Sequence, residues 1–348
     1  MKIFHQLFNR KFTQKETFLH YTGSMFGIGC SAFKHEALEK INSLKKRKSN
    51  KGYIVLIPHT DWLKKYNVKL SLGIKRVLQQ YWPGELSVLL EVSDPKFEHI
   101  SQNGKVAFRI PTDKLLREFI EKFNEPIIST SVNESGEKPV QNLNEILGRF
   151  DGWFDFAILP KYQKTSNNSP STIISFSNSK LDLIREGSIP FPELESSFKS
   201  PQILFVCTGN TCRSPLAEYL AKKIIIEDGL NFSAASAGFI EDGMPISKNS
   251  EKVLALNGID ASAHVSTLLN DKVLRKSWLV LTMTKKHKEK ILQLYPTSAS
   301  KVYTFSEYAG KNKDIADPIG KALKYYKKTF AEIDKKIKII FEKIKEER

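Results

Sequence analysis

The sequence predicts an α/β protein built from two domains. The chain has 348 residues, which is more than one compact α/β domain of ordinary size requires. Apolar runs of strand length alternate with segments of helical periodicity in both halves of the chain, as βαβ units require. A polar, serine-bearing segment at 193–200 separates the halves, and the apolar run at 203–206 opens the second half. These observations predict a boundary close to residue 200.

The second half begins with the most informative segment of the chain, residues 206–215, whose sequence is Val-Cys-Thr-Gly-Asn-Thr-Cys-Arg-Ser-Pro. The apolar run before it predicts a strand, and the helical pattern at 216–228 predicts a helix after it. Pro215 suits the first turn of that helix and Gly229 suits its end. The segment therefore reads as a strand, a tight loop and a helix.

This order places a thiol at the start of the loop and a guanidinium at its end. Successive backbone N–H groups and the N-terminus of the helix can surround a tetrahedral oxyanion. Arg213 can grip two phosphoryl oxygens, and the same positive field favours the reactive thiolate of Cys207. We expect Gly209 to adopt backbone angles closed to other residues and Asn210 to tolerate the left-handed region.

These residues resemble the low-molecular-weight protein tyrosine phosphatase family, and the resemblance extends over about residues 200–348. It implies a doubly wound parallel sheet with the site at the carboxyl ends of the strands. It also implies that Cys207 forms a phosphocysteine, that Arg213 binds the phosphoryl group, and that Asp317 is the general acid. The loop residues that would support this chemistry are Thr208, Gly209, Asn210, Thr211, Cys212 and Ser214. The phosphatase is expected to need neither a cofactor nor a metal.

The substrate depends on two positions. Thr211 stands where tyrosine-directed members of the family usually have an aliphatic residue, and it resembles the protein-arginine-phosphatase branch. Ile319 stands where an aromatic residue often stacks on phosphotyrosine. Phosphoarginine in proteins is therefore favoured, and phosphotyrosine is the alternative.

The first half also alternates strands with helical segments, and its loops carry cationic and hydroxyl side chains that suit phosphate and carboxylate recognition. The order of its pieces resembles the threonylcarbamoyl-AMP synthase family over about residues 15–195. The resemblance implies a twisted α/β domain that joins threonine, bicarbonate and ATP, brought in with Mg²⁺, and releases pyrophosphate. The positions that match residues holding nucleotide or threonine are Thr22, Lys45, Arg47, Lys51, Arg109, Ser131, Asn133, Ser171 and Arg185. The implied partners are tRNA or proteins of tRNA modification.

The chain departs from that family in its substrate cleft. Gly23 replaces an acidic residue and Phe26 replaces a tyrosine within Tyr-Thr-Gly-Ser-Met-Phe-Gly. The residues after Arg47 and Lys51 are not the usual prolines. The alternative interpretation is therefore a phosphatase whose N-terminal domain binds nucleotide or RNA without catalysis.

Together these observations predict a synthase-like domain at 1–195, a linker at 196–200 and a phosphatase-like domain at 201–348. The formal net charge of +16 favours phosphorylated or nucleic-acid partners. Three cysteines without zinc-like spacing, and no apolar run long enough to span a membrane, indicate a cytoplasmic protein. Cys212 either packs in the core or forms a reversible disulfide with Cys207.

Overall fold

The computed structural model describes residues 1–8, 13–47, 52–163, 169–177 and 180–346. The chain divides into two compact units. The first consists of Met1–Ser71 and Tyr81–Pro192, and the second of Leu72–Gln80 and Glu193–Arg348.

The first unit contains a mixed sheet in the order β1-β8-β2-β3-β7-β4-β6-β5-β9-β10. Its strands are β1 (Lys2–Phe4), β2 (Phe18–Tyr21), β3 (Phe26–Ser31), β4 (Ile54–Leu56), β5 (Leu86–Glu91), β6 (Lys105–Arg109), β7 (Ile127–Ser131), β8 (Phe156–Ile158), β9 (Thr172–Ser177) and β10 (Lys180–Arg185). The helices from the N-terminus to the unit boundary are α1 (His35–Leu44), α2 (Asp61–Lys65), α3 (Leu72–Tyr81), α4 (Lys114–Phe123), α5 (Leu143–Arg149) and α6 (Phe191–Lys199), with a 3₁₀ turn at Pro95–Ile100. Every residue of β2 and β3 is buried, and all of them are apolar or small except His20 and Tyr21 on β2.

The second unit contains a four-stranded parallel sheet in the order β12-β11-β13-β14. Its strands are β11 (Gln202–Val206), β12 (Ser233–Ala237), β13 (Ser277–Thr282) and β14 (Val302–Thr304). Its helices are α7 (Arg213–Glu227), α8 (Lys248–Ala255), α9 (Asp271–Lys276), α10 (Lys285–Leu294), α11 (Phe305–Tyr308) and α12 (Leu323–Glu346), with a 3₁₀ turn at Pro296–Lys301. Apolar clusters cover both faces of this sheet, which confirms the predicted doubly wound fold.

The closing helix α12 is amphipathic, as its spacing predicts. Ile333, Ile337 and Ile340 are fully buried against the phosphatase-like sheet and form part of its larger apolar cluster. Among the described residues, none of the helices has the length and apolar character needed to cross a membrane.

The structure differs from the sequence prediction at the domain boundary. Residues 196–200, predicted as a linker, fall mostly within α6. This helix is packed against the protein through Leu194, which is fully buried. The second unit also includes most of α3. There the indole of Trp278 donates to Gln79 Oε1 at 2.9 Å, and Lys301 Nζ donates to the carbonyl of Gln80 at 3.1 Å. These contacts join residues about 200 positions apart, which local sequence patterns cannot reveal.

Candidate functional sites

The loop that carries Cys207 leaves the carboxyl end of β11, which lies between β12 and β13. Residues Ile203 to Val206 are fully buried, so the strand holds the start of the loop rigidly. Helix α7 begins at Arg213 and directs its N-terminus at the loop. The site therefore lies at the carboxyl ends of the strands, where the connections from neighbouring strands lead to opposite faces of the sheet. This is the usual ligand site of an open α/β sheet.

The thiol of Cys207 is buried and meets one hydroxyl. Its Sγ lies 3.0 Å from Ser214 Oγ. Asn210 Nδ2 donates to the same Ser214 oxygen at 2.9 Å and to Ser236 Oγ at 2.7 Å. Because an amide nitrogen only donates, the Ser214 proton is available to the sulfur of Cys207. The loop thus provides a hydrogen bond that suits a thiolate.

Asn210 fixes the conformation of the loop. It adopts a left-handed backbone with φ of 53°, and its Oδ1 accepts from the backbone N–H of Thr267 at 2.8 Å. The ring of His264 lies 2.9 Å from the Asn210 carbonyl oxygen. The expectation for Gly209 was wrong, since Asn210 takes the left-handed conformation and Gly209 does not. Gly238 supplies the close approach instead, because a Cβ there would lie 2.7 Å from the Thr208 carbonyl oxygen.

Arg213 and Asp317 meet across the loop. Arg213 Nη2 lies 2.5 Å from Asp317 Oδ2, and Nη1 donates to the carbonyl of Ile315 at 3.3 Å. The Arg213 side chain is 6% exposed, whereas that of Asp317 is 40% exposed. The buried Nε of Arg213 has no hydrogen-bond partner within the described part of the chain. The guanidinium therefore keeps a donor for an incoming oxyanion, and the carboxyl group faces the solvent side of the same site.

The remaining predicted loop residues have different surroundings. Thr208 Oγ1 lies 2.9 Å from His287 Nε2. Thr211 accepts the backbone N–H of Ser247 at its carbonyl oxygen. Cys212 is buried and its Sγ lies 3.3 Å from Ser247 Oγ. Cys207 and Cys212 are both free thiols.

The predicted residues of the first half converge on a pocket of about 340 Å³ in the first unit. Seven of the nine line it: Thr22, Arg47, Arg109, Ser131, Asn133, Ser171 and Arg185. Lys51 lies outside the described residues. Three arginines among the lining residues make this pocket suited to an anion.

Lys45 lies behind the pocket wall. Its Nζ donates to the carbonyl oxygens of Ser131 and Asn133, at 2.5 and 2.6 Å, and to Asn133 Oδ1 at 2.9 Å. Burial and, to a smaller extent, the nearby Arg47 lower the pKa of Lys45 to about 8. Lys45 thus shapes the loop after β7 and leaves ligand contact to the residues that line the pocket.

Two of the arginines are oriented by backbone carbonyls. Arg109 Nε donates to the carbonyl of Gly84 at 2.8 Å, and Arg185 Nη2 donates to that of Ser171 at 2.7 Å. Burial lowers the pKa of Arg109 to about 10. Within the described ranges, neither guanidinium forms an ion pair with a carboxylate. Their charges remain available to a ligand.

The conformation of the loop explains why Gly23 replaces the acidic residue of the synthase family. Gly23 has φ of +98°, and a Cβ added there would lie 1.8 Å from Thr112 Oγ1. Any side chain at this position would therefore clash with Thr112 and would have to adopt a backbone conformation that favours glycine.

His20 lies on β2 opposite Gly27 of β3, and the sequence does not single it out. It is fully buried, and neither ring nitrogen has a hydrogen-bond partner within the described residues. Burial, with a smaller contribution from Arg109, lowers the pKa of His20 to about 3. The ring is neutral at neutral pH and packs against Gly27, whose Cβ would lie 2.6 Å from His20 Cε1.

Comparison with known families gives a match for each unit. The Sua5/YciO/YrdC family model, described as "Telomere recombination", matches residues 14–187. The model described as "Low molecular weight phosphotyrosine protein phosphatase" matches residues 202–348. The chain belongs to both families. It is thus a fusion of a Sua5/YciO/YrdC domain and a low-molecular-weight phosphatase domain.

Curated relatives of the phosphatase domain include both substrate classes. The protein-arginine-phosphatase of Bacillus subtilis is 37% identical over 155 residues, which are 42% of this chain and 98% of the relative. The low-molecular-weight protein-tyrosine-phosphatase PtpB of Staphylococcus haemolyticus is 37% identical over 132 residues, 38% of this chain and 91% of the relative.

The N-terminal domain is similar to synthases. The threonylcarbamoyl-AMP synthase of Wigglesworthia glossinidia brevipalpis is 35% identical over 136 residues, 38% of this chain and 70% of the relative.

Proposed function

We propose that the phosphatase domain hydrolyses phosphoarginine in proteins, in preference to phosphotyrosine, through a phosphocysteine on Cys207. The single observation that carries this proposal is the meeting of Arg213 and Asp317 beside a thiol that is hydrogen-bonded to Ser214. The similarity to the B. subtilis protein-arginine-phosphatase supports the choice of substrate.

The reaction proceeds in two balanced steps. The thiolate of Cys207 attacks phosphorus, and the P–N bond of phosphoarginine breaks while Asp317 donates its proton to the departing guanidine nitrogen. Arg213 and the loop N–H groups hold the phosphoryl oxygens during the transfer. A water molecule then attacks phosphorus, Asp317 takes its proton, and phosphate leaves as the Cys207 thiolate is restored.

Substitution of Thr211 tests the substrate. Thr211→Ile introduces the aliphatic residue typical of tyrosine-directed members, so we expect kcat/KM for a phosphoarginine peptide to fall by about tenfold or more. Hydrolysis of a matched phosphotyrosine peptide should change by less than about threefold. The measurement is phosphate release from both peptides by wild type and variant.

Two results would contradict the substrate assignment. A wild-type preference for phosphotyrosine would leave the chemistry of Cys207 standing and refute phosphoarginine as substrate. An equal loss of both activities in Thr211→Ile would show that Thr211 supports the loop without selecting the substrate. Thr211→Ser, which keeps the hydroxyl, is the matched control and should retain the wild-type preference.

For the N-terminal domain we propose L-threonylcarbamoyladenylate synthesis from threonine, bicarbonate and ATP, with release of pyrophosphate. The convergence of Arg47, Arg109 and Arg185 on one pocket supports binding of a triphosphate. Glu137 is the carboxylate among the lining residues, and Arg149 engages it at 2.6 Å. Mg²⁺ is therefore expected to enter on the phosphates of ATP, with no carboxylate cluster to hold it within the described residues.

A second candidate function is nucleotide or RNA binding without catalysis. The observation that favours it is Gly23, where a side chain would clash with Thr112 and strain the backbone. On either interpretation the proposed partners are tRNA or proteins of tRNA modification, consistent with a net charge of +16, and the proposed compartment is the cytoplasm.

Pyrophosphate release distinguishes the two candidates. We expect release that requires both threonine and bicarbonate, and we expect Arg185→Gln to reduce its kcat/KM by roughly 10²-fold, because a charge-assisted contact to substrate is lost. Lys180→Gln on the same strand lies outside the pocket lining and serves as the matched control. ATP binding without pyrophosphate release would establish the binding-module alternative.

A further inference from the structure

A chain of polar contacts leads from the phosphate-binding arginine to the start of helix α10. Arg213 Nη2 lies 3.5 Å from Thr208 Oγ1, which lies 2.9 Å from His287 Nε2. His287 Nδ1 in turn lies 3.0 Å from Thr284 Oγ1. We propose that His287 is a positioning residue of the phosphatase, and that it acts by orienting the Thr208 hydroxyl beside the Arg213 guanidinium. This inference rests on the proposed phosphatase function.

Arg213 is necessarily the hydrogen-bond donor in its contact with Thr208. A guanidinium only donates, so Thr208 Oγ1 accepts from Arg213, and we assign the Thr208 proton to His287 Nε2. The proton of the imidazole then lies on Nδ1, which donates to Thr284 Oγ1. This tautomer of the neutral ring satisfies every contact in the series, whereas an imidazolium would leave the Thr208 proton without His287 as its acceptor.

The ring is fixed from several sides. Thr284 caps α10, because its Oγ1 also accepts the backbone N–H of His287 at 3.3 Å. The ring of Phe239 stacks on the imidazole with centroids 5.8 Å apart and planes 25° from parallel. The backbone N–H of Phe239 donates to the carbonyl of Thr208 at 2.7 Å. His287 and the loop therefore share one rigid support.

The surroundings keep the imidazole neutral. Burial and then the positive charge of Arg213 lower the pKa of His287 to about 4. Asp317, Asp314 and Lys290 also face the ring, and the two carboxylates oppose that shift without reversing it. The ring nitrogen that faces Thr208 can thus accept a hydrogen bond at neutral pH.

The position of Thr208 explains why its contact with His287 matters for phosphate binding. Thr208 directly follows Cys207, and its side chain touches the same guanidinium that pairs with Asp317. When a phosphoryl group displaces Asp317 from Arg213, Thr208 remains as a side-chain contact that limits rotation of the guanidinium. His287 contributes through Thr208, so its effect should vanish once that hydroxyl is removed.

A double-mutant cycle with Thr208→Val and His287→Phe tests this coupling. His287→Phe keeps an aromatic ring beside Phe239 and removes both ring nitrogens. We expect each single variant to lower kcat/KM by about tenfold, or roughly 1.4 kcal/mol, and to weaken inorganic phosphate binding by a similar factor. The double variant should be no worse than either single variant by more than about threefold, since both remove the same interaction.

His287→Gln is the matched rescue variant, because its amide oxygen can replace the accepting Nε2. It should stay within about threefold of wild type in kcat/KM and in phosphate affinity measured by calorimetry. Additive losses in the double variant, or a His287→Gln variant as impaired as His287→Phe, would overturn the proposal. If His287→Phe does not fold, a loss of phosphate affinity in His287→Gln equal to that of Thr208→Val overturns it as well.

The two proposals fail in different ways. If wild type hydrolyses no phosphorylated peptide, the proposed function fails, and phosphate binding by the four proteins of the cycle still measures the coupling. If wild type is active and His287→Phe matches it, the proposed function stands and the role of His287 is refuted.

Discussion

Cys207→Ser is expected to abolish phosphate release, with a loss in kcat/KM of roughly 10⁴-fold or more, about 5.4 kcal/mol of transition-state stabilisation. A serine hydroxyl is a far weaker nucleophile than a thiolate at neutral pH, and the Ser214 contact that suits a thiolate cannot ionise an alcohol. The measurement is steady-state phosphate release from phosphoarginine and phosphotyrosine peptides.

Cys212→Ser on the same loop is the matched control. Cys212 Sγ lies near the hydroxyls of Ser247, Tyr326 and Thr211, and within the described residues it contacts neither Arg213 nor Asp317, so this variant should keep most of the activity. Cys207→Ser should still bind inorganic phosphate, because Arg213 and the loop N–H groups are unchanged. Turnover by Cys207→Ser above about one hundredth of the wild-type rate would refute Cys207 as the nucleophile.

Asp317→Asn is expected to lower kcat for phosphoarginine and phosphotyrosine peptides by about 10²- to 10³-fold, because an amide can neither donate the leaving-group proton nor take one from water. The reason is geometric as well as chemical. The Asp317 carboxylate is partly exposed to solvent and pairs with the guanidinium of Arg213 inside the site. The measurement is steady-state and pre-steady-state hydrolysis by the variant.

The leaving group supplies the control for this prediction. With 4-nitrophenyl phosphate, whose phenolate leaves without a proton, formation of the phosphocysteine should be nearly normal in Asp317→Asn. Its hydrolysis should be slow, so a burst of nitrophenolate close to one per enzyme is expected. An equal loss of the first step for good and poor leaving groups would show that Asp317 acts only by holding Arg213.

The loop that carries Cys207 could be predicted because its residues are contiguous in sequence. Cys207, Asn210, Arg213 and Ser214 lie within one strand-loop-helix segment, and their spacing brings the side chains of Cys207 and Asn210 to the hydroxyl of Ser214. Backbone detail was predicted in part. The left-handed conformation expected of Asn210 is confirmed, and the contacts of its side chain with Ser214, Ser236 and Thr267 hold it there, whereas Gly209 does not adopt the conformation expected of it.

Contacts between residues that are distant in sequence could not be predicted from local patterns. Asp317 was assigned from family resemblance, and only the fold shows it 2.5 Å from a guanidinium 104 positions earlier. The sequence contains seven histidines, and no motif in it singles out His264 or His287. Their partners come from other elements, so a lone histidine in the sequence carries no signal of them.

In the first half, too, the sequence predicted which residues bear on the site, and only the fold showed their individual roles. Cationic and hydroxyl side chains in its loops predicted phosphate recognition, and six of them line one pocket together with Asn133. The sequence did not separate Lys45, which supports the loop after β7, from Arg109, which lines the pocket. That distinction depends on which way each side chain points across a sheet whose neighbouring strands are far apart in the chain.

By itself, the sequence determined the two families and the α/β class of each domain, because strand and helix periodicity and short contiguous motifs carry them, and it predicted Cys207 as the nucleophile. Only the tertiary structure decided that Asp317 meets Arg213, that His287 contacts Thr208, and that α3 joins the second unit. Parallel strands bring distant loops to one edge of a sheet, and burial then selects the side chains that can be satisfied there.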